Sequence, residues 1–142
     1  MSQYWLLKTE PSDYSQTDLE RDVRTIWDGV SNNLALKHLR NMKRGDLAFI
    51  YHTGKERALV GIAEVISDPY PDPGKNDAKL VVVDVRAKEA LPQIVSLAEV
   101  KADSEFSDFP LVRLPRLSVM PVTPAQWNRL LAMAGASRQG RS

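Results

Sequence analysis

The chain has 142 residues, 43% of them hydrophobic and 26% charged, which suits one globular domain with a real core. Its formal net charge of +1 argues against bulk binding to nucleic acid through a wholly basic surface, since that mode depends on releasing many counterions. With no cysteine and only His38 and His52 as imidazoles, the chain has no disulfide framework or thiolate chemistry, and neither a metal site nor a cofactor is expected. No apolar run is long enough to cross a bilayer, and the opening residues lack a basic n-region and cleavage site, so a soluble, cytoplasmic protein is expected.

Residues 3–9 read as a first strand, ended by Glu10-Pro11-Ser12-Asp13, because proline biases its predecessor away from helix and cannot donate to a ladder. Thr17 and Glu20 resemble a capping box for a short helix. Residues 24–35 then read as a polar, glycine-containing loop that carries Trp27. Asn32 or Asn33 can cap a second helix, where Ala35, Leu39 and Met42 form a buried stripe and Lys37, Arg40 and Arg44 a basic one. Residues 47–52 and 58–65 read as two buried strands forming a hairpin, with Gly61 marking a bulge or a close approach.

The proline-rich residues 68–74 are expected as a loop presenting Tyr70, and residues 79–86 as a β-branched strand. Ser96 and Glu99 form another capping box, and residues 116–122 a last strand. Thr123-Pro124-Ala125-Gln126 starts a helix that buries Trp127, Leu130, Leu131 and Ala134 and stops at Gly135. One domain over residues 1–136, with a loose tail over 137–142, follows. The irregular order of strands and helices lacks the repeating period of a doubly wound sheet.

No phosphate-cradling glycine loop, nucleophile elbow or zinc-protease helix motif occurs. His52 with Glu10 or Glu64 could serve as an acid and base pair, against the plain reading of a strand-end histidine bonded to backbone. Trp5 and Trp127 fall on strand and helix patterns and belong to the core. Trp27 differs, because an indole in a polar loop buries much area only if something flat covers it, and Tyr51 and Tyr70 could complete an aromatic pocket.

Six blocks carry a resemblance: residues 4–12 (YWLLKTEPS), 27–30 (WDGV), 49–53 (FIYHT), 60–65 (VGIAEV), 70–73 (YPDP) and 116–119 (RLSV). In this order they are similar to the EVE domain family over almost the whole chain. The resemblance implies a β-rich α+β fold, a PUA-like pseudobarrel of about five to seven mixed strands with short peripheral helices. It also implies kinship with YTH domains, which bind methylated adenine in RNA. The implied activity is non-catalytic: reading a modified cytosine or adenine in DNA or RNA by flipping the base into a pocket. Lys8, Thr9, Glu10, Trp27 and Asp28 would form the pocket's sides, Tyr51 and His52 its floor, and Tyr70 would face them. Asn32 would fix the base edge, while Lys8, Lys37, Arg40 and Arg44 would meet phosphates. The family usually has arginine where this chain has Ser31, which removes one charge-assisted bond if that arginine contacts phosphate. The rival readings are a hydrolase of modified nucleosides using Glu10 and His52, and a protein-interaction module.

Overall fold

Residues 3–136 are described in the computed structural model of the chain. Along the sequence run β1 (Tyr4–Thr9), α1 (Gln16–Asp22), β2 (Arg24–Trp27), α2 (Asn33–Arg40), β3 (Leu47–His52), β4 (Ala58–Val65) and β5 (Tyr70–Pro71). They are followed by β6 (Val81–Ser96), α3 (Leu97–Lys101), a 3-10 turn at Ser104–Phe106, α4 (Pro110–Arg113), β7 (Val119–Val122) and α5 (Pro124–Met133). The strands lie in the order β2-β6-β4-β3-β1-β7, with β5 beside β6.

β1 lies between β3 and β7, and Trp5, Leu6 and Leu7 are all buried, as a strand covered on both faces requires. It runs parallel to β3, from Tyr4 opposite Leu47 to Thr9 opposite His52, and antiparallel to β7. β3 and β4 form the expected hairpin, with a register shift after Ile50. The 16-residue β6 pairs with β2, β4 and β5. Its register against β4 shifts twice, and such bulges bend a strand and increase its twist, curling the sheet into a pseudobarrel. On α5, Trp127 stacks on Tyr4 at 4.5 Å between ring centroids and leans on Phe49 at 4.1 Å.

Asp46 is the polar keystone. Its buried carboxylate accepts from Gln3 N (3.0 Å), Trp5 Nε1 (2.9 Å) and Lys43 N (3.0 Å), so it ties the start of β1 to the turn that opens β3. Gly61 is the expected close approach. A Cβ there would stand 2.3 Å from Gln16 Cδ, so the missing side chain is what lets α1 lie on β4.

Several expectations need correction. Residues 24–27 are not loop but the edge strand β2, with Trp27 opposite Val83. The first capping box is Ser15 with Asp18, not Thr17 with Glu20, because the helix starts one residue after Ser15. Tyr70 and Pro71, expected in a loop, make a two-residue strand, and residues 79–86 cover only the first part of β6. The last strand is confined to Val119–Val122. α2 ends at Arg40, so Arg44 leaves the stripe of Lys37 and Arg40. The expected tail over 137–142 lies outside the described residues.

Candidate ligand cavity

Thr9 ends β1, Asp13 and Tyr14 lie in the turn that follows it, and Thr25 to Asp28 run along and just past β2; together they line a cavity of about 540 Å³. That volume is in the range of small-molecule sites. The strands place the walls, and two local bonds fix the turn between them. Thr9 Oγ1 donates to the Tyr14 carbonyl at 2.7 Å, and Tyr14 N to the Glu10 carbonyl at 2.9 Å. The Tyr14 ring meets Trp27 edge-on, with centroids 6.4 Å apart and planes at 84°. Burial, and then the Asp22 carboxylate that its hydroxyl donates to at 2.9 Å, hold the Tyr14 phenol above its ordinary pKa.

Charge is one-sided in this cavity. Asp13 and Asp28 supply two carboxylates, and no lysine or arginine lines the walls. No ion pair among the described residues uses either carboxylate. Two free acceptors beside an aromatic edge suit a flat ligand that offers donors.

The structure brings Thr9, Trp27 and Asp28 together and separates the other expected residues. Trp27 is 7% exposed and belongs to the core cluster, so only part of its indole can face a ligand. Lys8 and Tyr51 face a different cavity, because neighbouring residues of a strand point to opposite faces. There the Lys8 ammonium donates to the Pro115 carbonyl at 2.9 Å and lies 5.6 Å from the Tyr51 ring centre. Burial lowers the Lys8 pKa and raises that of Tyr51.

Glu10 is a staple. It accepts from Ser12 N (3.3 Å) and Ser12 Oγ (3.2 Å) and reaches Thr53 Oγ1 at 3.4 Å, above Gly54, whose φ of +79° favours glycine. His52 is buried, with Nε2 accepting from Gln16 N at 3.0 Å and Nδ1 2.6 Å from Glu56 Oε1. The ring thus holds the start of α1, and its partners are neither Glu10 nor Glu64. Asn32 caps α2 by accepting from Ala35 N at 3.0 Å and borders a groove with Leu34 and Arg116. Tyr70 donates to Asp84 Oδ1 at 2.5 Å and does not line the Trp27 cavity.

Asp13, Tyr14, Thr25 and Ile26 were not anticipated. The first two follow Pro11 in a turn that reads as a connection only, and the other two lie in a segment read as loop. Among the described residues no cluster could hold a metal ion, and no helix is long and apolar enough to cross a membrane.

The EVE domain model matches residues 3–133, and the chain belongs to the EVE domain family. Thymocyte nuclear protein 1 of Rattus norvegicus is 31% identical, over 96% of this chain and 75% of its own length. A protein of Rhodopseudomonas palustris, solved by NMR, is 41% identical with a TM-score of 0.89, over 94% of this chain and 93% of its own. A crystal structure of the human THYN1 protein in complex with 5-methylcytosine containing DNA is 28% identical with a TM-score of 0.86, covering 94% of this chain and 98% of that one.

Proposed function

We propose that this chain is a non-catalytic nucleic-acid-binding module that reads a modified base, turned out of its strand into the cavity beside Trp27. The observation that carries this reading is the pairing of an aromatic wall, Trp27 with Tyr14, with two unpaired carboxylates, Asp13 and Asp28. An exocyclic amine is the donor those acceptors suit, so cytosine and adenine derivatives fit and thymine or uracil fit poorly. Turning a base out costs a few kcal/mol, which stacking and edge bonds must offset. The complex of a human relative with 5-methylcytosine containing DNA supports DNA as the partner and a modified cytosine as the first ligand to test. The cytoplasmic location read from the sequence is part of the proposal, although the curated relatives are named as nuclear proteins.

The test is affinity for matched DNA and RNA oligonucleotides that differ only in one base: cytosine, 5-methylcytosine, adenine, N6-methyladenine or thymine. We expect one modified base to bind best and thymine worst. Asp28→Asn should remove most of the preference, about 1.5–3 kcal/mol for a bond to a charged group, without loss of folded protein. Equal affinity for all the oligonucleotides would overturn the reading. Release of a free base or of ammonia during incubation would favour the hydrolase.

A further inference from the structure

On the other face of β1 from Thr9, Lys8 opens into a cavity of about 250 Å³ that Arg57 and Lys101 also line, with Tyr51 and Thr53 as further polar groups and no carboxylate. Arg57 and Lys101 also line an adjoining cavity with Lys55, and Pro115 also borders the groove that holds Arg113 and Arg116. These three neighbouring hollows contain six cations against a single carboxylate, Glu56, which is already beside His52 at 2.6 Å. Among the described residues no ion pair engages Lys8, Lys55, Arg57, Lys101 or Arg116.

Six cations against one carboxylate is a local concentration that a chain with a formal net charge of +1 does not lead one to expect. Like charges crowded into a hollow repel one another, and the arrangement is relieved when an anion enters. The Lys8 ammonium has a fixed place, held by the Pro115 carbonyl at 2.9 Å, and an ammonium has three donors, so two remain for oxygens that enter the cavity. Tyr51 and Thr53 add hydroxyl groups at the same wall. Of the cations that the sequence pattern assigns to phosphates, Lys8 is in this cavity and the others were expected on α2. There the Arg40 guanidinium already donates to the Lys79 carbonyl at 3.0 Å, and Arg44 is off the helix.

We infer that the Lys8, Arg57 and Lys101 cavity is an oxyanion site that takes a backbone phosphate of the bound nucleic-acid strand, with Lys55 and Arg116 extending the track on either side. The inference rests on the base-reading proposal for the identity of the anion, but the cavity's chemistry is independent of the Trp27 site. It predicts a division of labour in which the acidic cavity selects and the basic cavity holds. Phosphate contacts add affinity without sequence information.

The experiment is the slope of log affinity against log salt for Arg57→Gln/Lys101→Gln. It is measured on single-stranded oligonucleotides with and without 5-methylcytosine and compared with wild type, with the charge-conserving Arg57→Lys/Lys101→Arg and with a distant control, Lys75→Gln/Lys88→Gln. Both target side chains are exposed, and a melting curve verifies that the variants are folded. The expected result is a slope shallower by about 1.4, at about 0.7 for each single-strand phosphate left without its cation, with equal weakening on both oligonucleotides and near wild-type behaviour in the other two variants. An unchanged slope, or an equal loss in the distant control, overturns the oxyanion site and leaves base reading standing. A shallower slope in a protein that never prefers the modified base overturns base reading and keeps the site. A wild-type protein that binds no oligonucleotide overturns both.

Discussion

Trp27 stands opposite Val83 in β2 and is 7% exposed, so its removal opens a hole in the core as well as in the candidate cavity. Trp27→Ala should cost about 3–5 kcal/mol of folding stability, where a loop position would have spared the fold. Urea unfolding measures this, and a loss below about 1 kcal/mol would show that the indole is not core. Asp28 is the cleaner probe, since it is exposed and unpaired. At Tyr70, burial first and the Asp84 carboxylate second push the phenol pKa up to about 12. The proton is held more tightly in the folded state than at the ordinary value of about 10, so this contribution to stability is complete below pH 10 and is lost as pH rises through 12. An ultraviolet titration should find one tyrosine ionising last, near pH 12, and Tyr70→Phe should abolish that step. Persistence of the step in the variant would assign it to Tyr14 or Tyr51, which are also raised.

The elements whose own pattern agrees with their environment were legible in the sequence. β3 and β4 have the predicted limits because nearly every residue in them is buried, and α5 has its capping box, first-turn proline and apolar face together. β2 was hidden because Arg24 and Ile26 are exposed on an edge strand, which leaves Trp27 as its one buried member. The second half of β6 was hidden for a related reason. Residues 86–94 are mostly exposed, and pairing with β4, not composition, makes them strand. The candidate cavity suffered most, because it lies where the β1–α1 turn meets the unrecognised β2. Of the expected pocket residues, Thr9, Trp27 and Asp28 share it, whereas Lys8 and Tyr51 lie on the other face, a split that depends on tertiary placement. The contact of α1 with β4 can be tested directly. Gly61→Ala should cost about 1–3 kcal/mol by overpacking against Gln16, which is 5% exposed, and Gln16→Ala in the same chain should recover most of that loss. Additive losses in the double variant would mean that the two residues do not share the space.

At the scale of the whole molecule, two hollows of opposite charge lie on opposite sides of one strand. Consecutive residues of β1 do the sorting: Thr9 borders the hollow with two carboxylates, and Lys8 the hollow with three cations. A mixed sheet can keep that separation because β1 is locked between β3 and β7, and a slip of one residue would exchange the faces. A ligand that satisfied both hollows would pass the end of β1, where the Glu10 carboxylate reaches Thr53 and lies close to Gly54. On the two proposed sites, the domain would gauge ligand length. A free nucleoside or mononucleotide would fill one side only, whereas a chain of several nucleotides would engage both at once and gain the effective concentration of a tethered second contact. Affinity for oligonucleotides carrying one central modified base should rise steeply over the first few added nucleotides and then level off, and calorimetry on a length series would show the step. A mononucleotide that binds as tightly as the longest strand would mean that the two hollows never serve one ligand.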